Sequence, residues 1–217
     1  APLGVPWRRG GDLPVAYNFL KDKDLSKDGR PIGSYYNHPA KRLMSLVASA
    51  LNFVIKHTKV DSLQMNTCGE LTERVRQMNE MLLDSDTVCR NVYTGDVKNA
   101  YTALDHDVVR EAVSWLLAEF QMQGRGGRSH LNIHKKERTV HPGKCWGDNK
   151  EWLRISLEDI QRLIDFDLRH AYLRLGDKVL RQVIGVIMGS SLSPPLFNIV
   201  CMYYENKALT KLPKRHR

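Results

Sequence analysis

No apolar run in the 217-residue chain approaches the length of a membrane span, and Ala1 to Gly11 hold no signal-peptide core. Both absences argue against a helical membrane protein and a secreted one. Cysteine is scarce and scattered: Cys68, Cys89, Cys145 and Cys201 form no CxxC pair and no short secreted framework. Reduced thiols in an intracellular compartment, nuclear or cytoplasmic, are therefore expected. There is no internal repeat, no low-complexity segment and no adjacent Asp-Asp pair. Acid is also in deficit, 24 Asp and Glu against 33 Lys and Arg, which leaves a formal charge of +9. Such an excess suits a polyanionic partner, because neutralised phosphates release their counterions. What remains is ordinary globular material, 42% hydrophobic and 26% charged, long enough for one domain or two small subdomains.

Periodicity and turn chemistry predict mixed helices and short strands. Val15 to Leu20 reads as a strand and Lys21 to Gly29 as a charged turn. Pro39 opens a helix whose buried stripe is Leu43, Val47, Leu51 and Val54 or Ile55. A second helix runs through Leu71, Val75, Met78 and Leu82, and Val92 to Val97 reads as a strand. Asp105 is the expected N-cap of a helix from His106 to Met122. Gly124 to Asn149, rich in Gly, Arg, Lys and His, reads as an exposed basic loop. Ser156 with Asp159 starts another helix, and Tyr172 to Val183 turns at Gly176-Asp177 as a hairpin. After Pro194-Pro195 a last helix carries Leu196, Val200, Tyr204 and Leu209. Helices between short strands predict an α+β or split βαβ arrangement.

Several residues invite chemistry, each beside a plainer alternative. Asp96, with the carbonyl of Val97, fits a metal ligand at a strand end, or a surface aspartate closing that strand. Tyr101, five residues on, fits a ring beneath a nucleotide sugar that leaves no room for a 2′-hydroxyl, or a core tyrosine. Arg30, held extended beside Pro31, can present its planar fork to a triphosphate. Lys21 and Lys23 add point charge there or belong to a solvated turn. Gly185, Gly189, Ser190 and Ser193 offer a surface that a nucleotide or template base can approach, or a Gly-Ser turn, with Asn198 one helical turn further on. His130, His134, His141 and Cys145 have zinc-type chemistry but no finger spacing, so a solvated loop is preferred. Gly124 to Arg128 with Lys135 and Lys136 fits a phosphate backbone or a flexible surface.

Three blocks in order, Arg30-Pro31-Ile32-Gly33-Ser34, Asp96-Val97-Lys98-Asn99-Ala100-Tyr101 and Gln182 to Pro194, resemble a reverse transcriptase. Met188 before Gly189, where many relatives have glutamine, resembles the Penelope-like retroelement branch. The resemblance runs from about Leu13 to Leu209 and implies a right-hand polymerase, fingers-like over residues 1–90 and palm-like over 91–217, with the basic stretch of about 124–149 inserted. It implies Asp96 and Val97 as metal ligands, Tyr101 as the sugar gate and Arg30 as a triphosphate contact, with Lys21, Gly189, Ser190 and Asn198 around the nucleotide. It further implies two Mg²⁺ (or Mn²⁺) ions, an RNA template, a DNA primer and deoxynucleoside triphosphates. The family's aromatic-x-Asp-Asp turn and its thumb have no counterpart in these residues, nor has the endonuclease module of many Penelope-like elements. A polymerase fragment with an incomplete palm, inactive alone, is therefore expected. The alternatives are a non-catalytic nucleic-acid-binding relic and a basic structural or interaction protein.

Overall fold

The computed structural model describes residues 7–19, 29–65, 67–84, 95–124, 128–143 and 150–212. In chain order these form β1 (Val15–Phe19), β2 (Arg30–Ser34), α1 (Lys41–His57), α2 (Cys68–Asp84) and α3 (His106–Met122). They continue as β3 (His130–His134), β4 (Val140–Pro142), β5 (Trp152–Ser156), α4 (Leu157–Arg169), β6 (Tyr172–Leu175), β7 (Lys178–Arg181) and α5 (Ser193–Leu209). One sheet runs β2-β1-β6-β7, with β1 antiparallel to β2 and parallel to β6; the other runs β4-β3-β5, antiparallel throughout. This is a mixed α and β architecture, as the sequence predicts.

Local signals set the helix starts. Asp105 accepts from the amides of Asp107 (2.7 Å) and Val108 (3.2 Å), satisfying two donors that the first turn of α3 cannot pair internally. Ser156 and Asp159 form the corresponding cap at α4. The predicted stripe of α1 is buried in full, and α3 turns Val109, Val113, Leu116 and Phe120 towards it. Both helices lie against β3, β5, α4 and α5 in one core. Each such Leu, Val or Phe removed from water contributes about 1.5–3 kcal/mol, so this core holds the layers together.

Two expectations are corrected, and the α2 and α5 helices stand as expected with faces that the sequence left open. Residues 95–97 are not a strand: the chain turns at once through Lys98 to Tyr101, with Asn99 at φ 57 and its carbonyl accepting from Thr102 and Ala103. Residues 92–94 lie outside the described residues. The stretch 124–149 is not one loop, for it supplies β3 and β4. Leu131 and Ile133 are fully buried and pair with Ile155 and Leu153 of β5, and two apolar side chains on one strand face outweigh the polar residues around them. On α5 the inward tyrosine is Tyr203, 5% exposed, whereas Tyr204 is 53% exposed. Leu196, Ile199, Val200 and Tyr203 share the buried face at helical spacing, and Tyr203 donates its hydroxyl to Glu111 and packs against Trp115. On α2, Leu71, Val75 and Met78 are exposed: no described element covers them. Arg74 ties that helix down, donating to the carbonyls of Leu63 and Gln64.

Among the described residues no helix is long and apolar enough to cross a membrane. The expected turn at Lys21 to Gly29, apart from Gly29 itself, lies outside the described residues, as do Cys89 and Cys145.

Candidate functional site

Arg30 stands at the first residue of β2, opposite Phe19 in the β1 ladder, where the ladder and Pro31 hold the backbone extended. Further along β2, the Gly33 amide donates to the Met188 carbonyl at 2.7 Å. That approach is possible because Gly189 has no side chain: a Cβ there would lie 2.3 Å from the Gly33 carbonyl oxygen, and Gly189 sits at φ 111. The 188–189 segment is thereby pinned to β2.

A second seam fixes the Asp96 block. The amide of Gly185 donates to the Leu104 carbonyl and that of Val186 to the Tyr101 carbonyl, both at 2.7 Å. The imidazole of His106 meets the Gly185 carbonyl, also at 2.7 Å, so the start of α3 braces the same turn. Tyr101 is half-buried, its ring 5.4 Å from that of Phe197 on α5.

Between these seams lies a cleft of about 480 Å³ lined by Arg30, Asp96, Val97, Lys98, Tyr101 and Met188, among others. Arg30, Asp96, Val97 and Lys98 are exposed to solvent there, so their charges face the cavity rather than a buried partner. Among the described residues, two cations and one carboxylate at an open mouth, with an aromatic and a thioether in the same lining, suit an anionic ligand with a flat or ring-shaped apolar part. Three blocks far apart in sequence thus meet in one place.

The other expected site residues stand elsewhere. Gly189 supports the β2 seam and does not line the cleft. Ser190 is buried, its Oγ accepting from the Leu192 amide and hydrogen-bonded to the Tyr35 hydroxyl. Asn198 is exposed on α5 outside the cleft lining, and Lys21 lies outside the described residues. His134 and His141 flank the ring of Trp152 at 5.0 and 5.8 Å as part of the second sheet. Lys98 and Phe197 were missed; Lys98 sits inside the quoted hexapeptide, whereas nothing local marks Phe197.

Outside the cleft lining, Asp167 and Tyr35 stand close enough to influence one another. Burial pushes the Asp167 carboxyl up to about 6. Burial, then the nearby Asp167, raises the Tyr35 hydroxyl far above its usual range.

Among the described residues no three His, Cys, Asp or Glu side chains cluster to hold a metal, and Asp96 is the one carboxylate lining the cleft. That donor set does not fit two divalent ions. It fits one Mg²⁺ held by a carboxylate, a carbonyl, waters and the phosphates of a ligand, the usual mode of that ion.

No family model and no curated protein matches the chain. Among solved structures it is similar to the apo telomerase of Candida tropicalis truncated from its C-terminal domain, with a TM-score of 0.54 at 15% identity. The match covers 94% of this chain and 40% of that one. At such identity the likeness is one of fold, and it extends over nearly all of the chain.

Proposed function

We propose that this chain is the fingers-like and palm-like part of a reverse-transcriptase-like polymerase domain, residues 1–90 and 91–217, and that its cleft takes a deoxynucleoside triphosphate beside a nucleic-acid template. The convergence of Arg30, Asp96, Tyr101 and Met188 on one cleft carries this reading. The fold likeness to a telomerase supports it. Arg30 and Lys98 would hold the phosphates, Arg30 through its fork and Lys98 as a point charge. Tyr101, backed by Phe197, would lie under the sugar and exclude a 2′-hydroxyl. Mg²⁺ on Asp96 and the Val97 carbonyl would neutralise phosphate charge. Lys21 would add point charge beside the phosphates, Asn198 would contact the ligand only from outside this lining, and Gly189 and Ser190 would shape the pocket indirectly, through the β2 seam. Met188 is the feature that favours the Penelope-like branch among reverse transcriptases. An RNA template and a DNA primer are the corresponding partners.

A second reading, a nucleic-acid-binding domain without catalysis, is favoured by Asp96 being the one cleft carboxylate among the described residues, because template-directed transfer between two ions needs more carboxylates than Asp96. Calorimetric titration with a deoxynucleoside triphosphate and Mg²⁺ tests the shared premise. Arg30→Ala is expected to weaken binding about tenfold, the loss typical of a charge-assisted hydrogen bond. Asp96→Asn is expected to abolish the Mg²⁺ dependence of that binding. Unchanged affinity in both variants would remove the cleft from consideration. Primer extension on an RNA template then separates the two readings.

A further inference from the structure

A separate cavity of about 380 Å³ opens where three distant segments meet. Trp7 and Arg8 come from the segment before β1, His38 from the turn that precedes α1, Lys41 and Arg42 from the start of α1, and Arg138 from the turn between β3 and β4. Among the described residues the cavity shares no lining residue with the cleft, and no Asp or Glu lines it. Among the described residues, none of Arg8, Lys41, Arg42 and Arg138 pairs with a carboxylate. Four like charges converging without a counter-charge repel one another, and a protein keeps such a cluster where an anion supplies the missing sign.

Three details show that the repulsion is built in. Arg138 is half-buried at φ 65, and its guanidinium is held by the Ser45 hydroxyl rather than by an acid. Its pKa is lowered by burial first and by Arg42 second, so the site is short of negative charge. The N-terminus of α1 has no side-chain cap and no acid in its first turn, carrying Lys41 and Arg42 at the end of the helix that favours anions. Lys41 is itself oriented, its Nζ 5.1 Å over the exposed Tyr36 ring.

The ring of Trp7, 43% exposed and edge-on to Phe166 at 6.3 Å, stands at the same cavity. Cations beside an available aromatic face are the combination that holds single-stranded nucleic acid, phosphates on the charges and a base on the ring. We propose that the Trp7–Arg42–Arg138 cavity is a second nucleic-acid site, binding phosphodiester groups of a single strand away from the cleft. A small free anion would use the cations alone and leave Trp7 without a role. The inference stands on this cavity's own residues, so its failure leaves the cleft reading untouched.

Fluorescence anisotropy with oligo(dT) and oligo(rU) strands of about 15 nucleotides, enough to cover one site, tests the proposal over a salt series. The leading variant is Arg42→Glu. An acid in the first turn suits the α1 dipole, so thermal stability is expected to hold or rise while binding is lost. Arg42→Glu with Arg138→Gln is expected to lower affinity at least tenfold. It should also flatten the slope of log affinity against log salt by about 1.4, two phosphate contacts at about 0.7 each. Trp7→Ala is expected to lower affinity severalfold with the salt slope unchanged. Parental affinity and slope in the double variant would overturn the proposal. So would a cavity that answers only to inorganic phosphate, seen as a rise in Tm that Arg42→Glu removes while oligonucleotide affinity stays parental.

Discussion

Replacing Gly185 by alanine tests whether the seam between the 185–186 segment and the Tyr101–Leu104 turn holds the cleft together. Gly185 sits at φ 81, and an added Cβ would lie 2.6 Å from the carbonyl oxygens of both Tyr101 and Thr102. Both are backbone atoms, so no rotamer change relieves the overlap; the turn itself must shift. A non-glycine residue in this region is strained by about 1–2 kcal/mol. Moving the turn also weakens the Gly185 and Val186 amide bonds, both 2.7 Å, at about 1 kcal/mol each. The expected loss is about 3–4 kcal/mol, which lowers Tm by about 2–4 °C per kcal/mol in a chain of this size. Circular dichroism during heating and urea unfolding reads both. Gly176→Ala is the control: its φ is 62, yet nothing lies within 4 Å of its added Cβ, so it carries the backbone strain without the overlap. If Gly185→Ala destabilises no more than Gly176→Ala, the seam does not constrain the turn and the argument for its role fails.

Asp167→Asn is expected to stabilise the protein at pH 7. Its carboxyl, raised from 3.8 to about 6, keeps its proton in the fold where the unfolded chain releases it, so stability is full below about pH 4 and falls as pH rises through 6. At about 1.4 kcal/mol per unit the gain approaches 3 kcal/mol at pH 7 and vanishes near pH 3, and urea midpoints at the two values check it. Asp105→Ala removes the acceptor of two α3 amides and is expected to cost about 1 kcal/mol in the same unfolding assay.

Much of the fold was legible because its signals are local. A side-chain oxygen before an apolar stripe marks a helix start wherever it occurs, and Asp105 and Ser156 both did. Gly176-Asp177 between two short β-prone runs marked the β6–β7 hairpin, and the spacing of Leu43, Val47, Leu51 and Val54 marked the buried face of α1. The second sheet was missed because its evidence is shared between strands. Leu131 and Ile133 look isolated among His, Lys and Arg until Leu153 and Ile155 lie opposite them. Choosing Tyr203 over Tyr204 likewise needed Trp115 and Glu111, which belong to another helix.

The site divides in the same way. The residue types of the candidate cleft, Arg30 beside a proline and Asp96 five positions before an aromatic, were readable as chemistry from their neighbours alone. Their meeting was not. It depends on the Gly33 amide reaching the Met188 carbonyl and on Val186 reaching Tyr101, and backbone amides carry no side-chain signature of the partner they will find. The basic cavity shows this most clearly, since nothing beside Arg8, Arg42 or Arg138 in the sequence marks the other two. The packing of α1 against the β3–β4 sheet brings Arg42 and Arg138 together, and the Arg8 amide reaching the Pro39 carbonyl adds Arg8; like charges do not select one another, so the core and the backbone place them.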